Sequence, residues 1–200
     1  MSGCLAGNRR GKVVVVSGPS GAGKTTVLRG VFERSTAPLV ASVSATTRPP
    51  RPGEVDGRHY HFLSQAEFDA RRSRGEFLEC FEVFGRGYWY GTLQAEVDAG
   101  LAAGKWVLLE IDVQGALAVM ARYPDAITVF LRPGSMAELE RRLRGRGTEA
   151  EEAIRRRLAQ AESELRQAER YRYQVINDEV DRAVAEICEI LKRDWENPEP

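Results

Sequence analysis

Val13-Val14-Val15-Val16-Ser17-Gly18-Pro19-Ser20-Gly21-Ala22-Gly23-Lys24-Thr25 decides the fold. Four β-branched residues running into a glycine-rich turn read as a buried strand that feeds a loop. The last eight residues fit G-x-x-x-x-G-K-[ST]. Residues 26–34 then have helical character, with Val27, Leu28, Val31 and Phe32 on one face. Strand, loop and helix in that order are the setting in which this pattern makes a phosphate-binding loop. Its glycines admit positive φ and let backbone N–H groups converge on phosphate oxygens. The helix N-terminus adds a favourable dipole. Gly18, Pro19, Ser20, Gly21, Ala22, Gly23, Lys24, Thr25 and Thr26 are therefore the candidate triphosphate-binding residues. Lys24 is placed to reach the β- and γ-phosphates, and the Thr25 hydroxyl to ligate Mg²⁺.

Two hundred residues bury a sizeable core and need only one domain. Formal net charge is +0, so no overall basic signal points to nucleic acid. Cys4, Cys80 and Cys188 have neither metal-ligand spacing nor a disulfide framework, which fits a reduced, cytoplasmic setting. No long apolar stretch marks the N-terminus, so neither a secretory leader nor a membrane span is expected. A monomer or a weak homo-oligomer is the expected state.

Further apolar runs lie at residues 106–111, 127–131 and 173–176, with helix-like stretches between them. That alternation argues for an α/β core with a parallel sheet. A last helix is expected over about residues 181–193, with Val184, Ile187, Cys188 and Leu191 inward. Between the first helix and Trp106 the texture changes. Residues 44–57 carry too many prolines and glycines for a helix or a central strand. Residues 60–63 and 79–90 read as β, and Ser64-x-x-Glu67 as a capping box. Residues 44–92 thus form an inserted subdomain. A second, helical insert covers residues 135–164, opened by Ser135-x-x-Glu138 and broken at Gly145-Arg146-Gly147. Its second helix runs to about residue 170.

Arg146, between two glycines, is placed to close over a ligand and stabilise a transferring phosphoryl group. For Arg142 and Arg157 the residues leave a solvated helix face and a phosphate role both open. Arg48 and Arg51 lie on a proline-stiffened loop where neither reads as a core residue; two guanidinium groups there suit a dianionic phosphate. Tyr60 and Tyr90 either pack or donate O–H groups to the same phosphate. Glu110 and Asp112, closing the second core strand, suit Mg²⁺ or its waters. His59 and His61 share a strand face but have no third ligand of matching type, so they read as ordinary strand residues.

Taken in order and spacing, the phosphate loop, residues 42–54, Glu76-Phe77-Leu78-Glu79, Asp112-Val113-Gln114-Gly115, residues 141–147 and Val175-Ile176-Asn177-Asp178 resemble the guanylate kinase family. The resemblance covers about residues 11–191. It implies a P-loop-type parallel sheet flanked by helices: a core of residues 11–43, 93–134 and 165–193, a GMP-binding subdomain at 44–92 and a lid at 135–164. It implies in-line transfer of the γ-phosphate of MgATP to GMP, or to dGMP, giving ADP and GDP. By the same resemblance Ser44, Arg48, Arg51, Tyr60, Glu79, Tyr90, Thr92, Glu110 and Asp112 contact GMP, with Glu79 on the guanine. Lys24, Arg142, Arg146 and Arg157 serve the phosphates, and Asn177 lies near adenine. Two departures stand out: Glu110 where most members have Asp, and a stretch at 84–91 about two residues longer than usual. Tyr90 takes the phosphate role because Tyr90-Gly91-Thr92 matches the family's Tyr-Gly-Ser/Thr. Two rivals are a guanylate-kinase-like domain that binds protein partners and a kinase acting on a ribose phosphate. The intact loop and the lid arginines argue against the first, Glu79 and Ser44 against the second.

Overall fold

A computed structural model of the chain describes residues 11–82, 87–145 and 151–197. Five strands form the main sheet: β1 (Lys12–Ser17), β2 (Leu39–Ala41), β7 (Trp106–Glu110), β8 (Ile127–Pro133) and β9 (Tyr173–Asn177), in the order β2-β7-β1-β8-β9. β1 with β8, β2 with β7 and β8 with β9 run parallel. A four-stranded sheet is ordered β4-β3-β6-β5, from β3 (Ala45–Thr46), β4 (His61–Phe62), β5 (Phe77–Glu82) and β6 (Trp89–Leu93). The helices are α1 (Lys24–Arg34), α2 (Gln65–Ser73), α3 (Gln94–Ala102), α4 (Val113–Arg122), α5 (Met136–Arg144), α6 (Glu151–Leu165) and α7 (Val180–Glu196).

By compactness the chain divides into two units. One comprises Leu39–Leu109, Ala118–Ala126 and the chain up to Val13. Its small sheet packs Ala45, Phe68, Phe77 and Leu93 into one apolar cluster, with Phe68 stacked on Phe77 at 4.4 Å. Ser64 caps α2 with the reciprocal Ser64–Glu67 bonds its spacing predicts.

The other unit comprises Val14–Pro38, Glu110–Leu117 and Ile127–Pro200. Val14, Val15 and Val16 are fully buried, as an uninterrupted β-branched run between helical layers requires. α1 buries Val27, Leu28 and Val31. Gly30 lets it approach α7 closely, since a Cβ there would meet Val184 Cγ2 at 2.8 Å. α5 and α6 share a cluster of Leu139, Leu143 and Ala161.

Several expectations need correction. Phe32 is 38 % exposed, because the buried arc of α1 is narrower than its apolar pattern. Cys188 is only half-buried, while α7 also buries Ala183 and Ile190 and runs on to Glu196. β2 is an additional strand, too short to show a pattern of its own. Ala45 and Thr46 form an interior strand of the small sheet, ending before the prolines begin. β4 keeps only two residues. Within 79–90, residues 79–82 and 89–90 lie on two antiparallel strands, β5 and β6. α6 stops at Leu165 and a short 3₁₀ turn, Ala168–Arg170, follows.

Tyr171 packs edge-on against Phe130 at 5.0 Å, and its hydroxyl is buried. Burial pushes its pKa up to about 12; the nearby Ser17 hydroxyl opposes the shift, and Asp112 and Glu164 add to it. Neither the Tyr171 nor the Ser17 hydroxyl makes a formed hydrogen bond among the described residues. The folded state therefore keeps this phenol protonated after the unfolded chain, with a pKa near 10, has begun to lose its proton. Tyr171's contribution is complete below pH 10 and is lost as pH rises toward 12. Tyr171→Phe leaves stability at pH 7 within about 1 kcal/mol of the parent and makes the alkaline limb of chemical denaturation shallower. An alkaline limb of unchanged slope refutes this.

Candidate active site

The turn from β1 into α1 is built by three glycines at positive φ: Gly18 at 143°, Gly21 at 93° and Gly23 at 90°. The backbone at Gly18 runs so close to the Leu131 carbonyl that no side chain fits. At Gly21 a Cβ would meet Leu139 Cδ1 at 2.9 Å, so α5 packs directly on the loop. The Lys24 ammonium folds back over this turn and donates to the carbonyls of Gly18 at 2.7 Å and Pro19 at 3.2 Å. Enclosure of the ammonium lowers its pKa, a shift partly opposed by Glu110, Glu164 and Asp112. Lys24 is thus a cation held inside the loop and surrounded by carboxylates. Enclosure costs the ammonium its water, so an incoming polyanion can replace the carbonyls as its partner, against the repulsion of those carboxylates.

The Thr25 hydroxyl donates to Glu110 Oε1 at 2.7 Å. A hydroxyl beside a carboxylate is a hard oxygen donor set and fits a magnesium ion with its waters. Among the described residues no cluster of three or more His, Cys, Asp or Glu suits a metal by itself. His61 Nε2 instead meets Glu96 Oε1 at 2.7 Å, and His59 Nδ1 accepts from the Val55 N–H at 2.9 Å. Asp112 caps α4: its Oδ1 accepts from the Gly115 N–H at 2.8 Å. Thr26 is exposed in the first turn of α1.

Two of the three arginines expected to serve the phosphates meet the loop. Arg157 Nη2 donates to Ser20 Oγ at 2.6 Å. Arg142 donates through Nη1 to the Ala22 carbonyl at 3.3 Å, and through Nη2 to the Asn177 carbonyl at 2.7 Å and to Glu138. Asn177, 1 % exposed, donates its side-chain N–H to the same Ala22 carbonyl at 2.7 Å. Arg146 lies outside the described residues.

The remaining candidates gather on the small sheet. Arg48 is only 8 % exposed, which corrects its reading as a residue excluded from the interior. Burial is tolerated because every nitrogen has a partner. Nε donates to Tyr90 Oη at 3.2 Å, Nη1 to the Pro49 carbonyl at 2.7 Å and Nη2 to Glu54 Oε1 at 2.9 Å. The guanidinium also lies over the Tyr60 ring at 5.5 Å, and Tyr60 meets Tyr90 edge-on at 5.9 Å. Arg48 holds the Glu54 carboxyl below the usual range, first through their hydrogen bond, against a small burial cost. Arg51 joins through its backbone N–H, which donates to Glu54 Oε2 at 2.7 Å.

β5 and β6 pair Glu79 directly with Thr92, and the buried Thr92 hydroxyl donates to Glu79 Oε1 at 2.6 Å. Ser44 leads into β3, with its carbonyl accepting from the His61 N–H at 2.9 Å. Arg48, Tyr60, Tyr90, Glu79 and Thr92 therefore share one unit, and Glu110 and Asp112 belong to the other with the phosphate loop. Residues 84–86 of the longer stretch lie outside the described residues.

Sequence reasoning gave no site role to Glu54 or Glu164, and named Glu138 only for its capping position and its helical spacing to the arginines. Glu54 stands six residues after Arg48, a spacing without helical or strand regularity. Glu138 is one turn before Arg142 on α5, a signal that helical spacing does contain. Glu164 is held by Gln160 at 2.9 Å, and its burial raises its pKa. Only the fold brings its charge to bear on Lys24.

A strand-fed glycine loop folded around a lysine, in a parallel α/β sheet, defines a P-loop nucleotide-binding protein. The other unit holds a buried arginine among two tyrosines and a glutamate beside its small sheet.

The family model described as guanylate kinase matches residues 10–194. A guanylate kinase of Rhodopirellula baltica is 56 % identical over 182 residues, covering 90 % of this chain and 87 % of the relative. One from Gloeobacter violaceus is 51 % identical over 192 residues, covering 95 % and 91 %. The crystal structure of guanylate kinase from Anaplasma phagocytophilum superposes with a TM-score of 0.76 at 31 % identity, covering 96 % of this chain and 88 % of that one. The chain belongs to the guanylate kinase family.

Proposed function

We propose that the protein transfers the γ-phosphate of MgATP to GMP, giving ADP and GDP. One observation carries the choice of acceptor. The unit with the small sheet carries both Arg48 beside Tyr60 and Tyr90, a group suited to phosphate, and a carboxylate, Glu79, that accepts from Thr92. Guanine offers N1–H and a 2-amino group, two donors that a carboxylate can accept. Adenine offers neither and would leave the carboxylate unpaired. Family membership supports the same substrates.

The acceptor is a phosphate monoester with its second pKa near about 6, so its oxygen is already anionic at neutral pH. No side-chain base is needed, and catalysis consists of alignment and charge stabilisation. Lys24 exchanges the Gly18 and Pro19 carbonyls for phosphate oxygens. Arg157 is already at Ser20 and turns toward the same charge with Arg146 from the same insert, while Arg142 adds its charge from the Ala22 carbonyl it holds. Thr25 and Glu110 would hold Mg²⁺ or its waters. When bound, the ion neutralises charge between the β- and γ-phosphates. Arg48, Arg51, Tyr60 and Tyr90 hold the phosphate of GMP. The division into a core, a GMP-binding part at 44–92 and a lid at 135–164 follows the same reading. So does a cytoplasmic location; among the described residues no helix is long and apolar enough to cross a membrane.

The deciding assay is ADP formation from MgATP with each nucleoside monophosphate. GMP is phosphorylated far faster than AMP, CMP or UMP; equal rates with AMP would sink the guanine assignment. Glu54 supplies a finer test. Its carboxylate orients the Arg48 fork, so Glu54→Gln weakens that pair and raises KM for GMP about fivefold, the value of roughly one hydrogen bond. The kcat value changes little. An unchanged KM removes Glu54 from the phosphate site.

A further inference from the structure

The resemblance sets Asn177 beside adenine, but its surroundings describe another task. The side chain is 1 % exposed at the end of β9; its amide nitrogen donates to the Ala22 carbonyl at 2.7 Å, and its Oδ1 is buried with no hydrogen-bond partner among the described residues. Arg142 Nη1 donates to the same carbonyl at 3.3 Å, while Arg142 Nη2 donates to the backbone carbonyl of Asn177 at 2.7 Å. Side chain, arginine and loop carbonyl thus close a ring of hydrogen bonds beneath the phosphate loop. The next residue, Gly23, sits at φ 90°, and a Cβ on it would run into the Asn177 amide nitrogen. The loop and Asn177 are fitted to each other.

A peptide unit is planar and trans, so its carbonyl and the following N–H point in opposite directions. Whatever fixes the Ala22 carbonyl also fixes the Gly23 N–H, one of the donors in the loop that cradles phosphate. Two donors on one carbonyl, one of them cationic, also polarise that peptide and strengthen its N–H.

We propose that Asn177 is a positioning residue: together with Arg142 it clamps the Ala22 carbonyl and aims the Gly23 N–H at the phosphates of the donor. The inference rests on the phosphate-donor reading of this loop. It differs from an adenine contact in one consequence, which is that the effect of Asn177 is blind to the base.

The test uses inorganic tripolyphosphate, a ligand with no base, and two nucleotide donors, ATP and UTP. With Mg²⁺ present, Asn177→Ala weakens tripolyphosphate binding about tenfold. It lowers kcat/KM for ATP and UTP by the same factor, and the ratio between them stays at the parent value. Unchanged tripolyphosphate affinity overturns the proposal, and so does collapse of the preference for ATP over UTP. If Asn177→Ala does not fold, as judged by circular dichroism and thermal midpoint, Asn177→Ser is put through the same measurements and the same outcomes decide. Parent protein that binds tripolyphosphate but does not phosphorylate GMP removes the kinase reading and leaves the clamp to be judged on tripolyphosphate binding.

Discussion

Lys24→Ala lowers the rate of phosphate transfer by about 10³-fold or more, and the protein still folds. The transferring phosphoryl group gathers charge between donor and acceptor, and Lys24 is the cation enclosed by the loop. In the proposed mechanism its loss would leave the γ-phosphate to Mg²⁺ and arginines from the helical insert. Folding is little affected because an enclosed ammonium is itself costly. The lowered pKa of Lys24 expresses that cost: burial outweighs the attraction of Glu110, Glu164 and Asp112. Removing the cation removes the burial penalty together with two carbonyl bonds, and the two changes offset each other to within about 2 kcal/mol. Steady-state ADP formation and a thermal midpoint on the same preparation check both halves. A variant that keeps a tenth of the parent's kcat rules out the assigned role. One that fails to fold shows that Lys24 ties the loop down.

Glu79→Gln lowers kcat/KM for GMP about 100-fold and leaves KM for ATP unchanged. Oε1 of Glu79 already accepts the Thr92 hydroxyl, so one edge of the carboxylate is fixed by β6. The proposed guanine contact draws its two acceptors from this same carboxylate. An amide of the same shape loses the negative charge and replaces one acceptor oxygen with an N–H₂ group, so it no longer offers two acceptor oxygens to the two donors of guanine. The deficit belongs to the base, so residual activity with AMP does not fall in parallel. Equal losses for GMP and AMP would mean that Glu79 shapes the sheet rather than reads guanine.

The contrast between these residues shows what was legible in the chain. Lys24 could be read without coordinates because its neighbours in sequence are its neighbours in space. A buried valine run, glycines that tolerate positive φ and a helix start lie within some twenty residues of one another. Arg48 was half legible. Its proline-rich setting marked it as a phosphate ligand but also as exposed, whereas it is buried between Glu54, Tyr60 and Tyr90. Those partners come from a loop, a strand entry and a second strand, and no periodicity links them. Phe32 shows the opposite failure: a regular apolar pattern supplied one more inward residue than the packing of α1 uses.

The amino-acid sequence alone determined the strand, the phosphate loop and the helix behind it, and with them the parallel α/β class. Those features depend on local backbone preference and on hydrophobic patterning, both of which are written residue by residue. The tertiary structure alone decided what holds that loop in shape. Asn177 reaches the Ala22 carbonyl across 155 residues and Arg142 reaches it across 120. Such bonds depend on how β9 and α5 pack against the loop, and packing distances have no signature in the spacing of the chain.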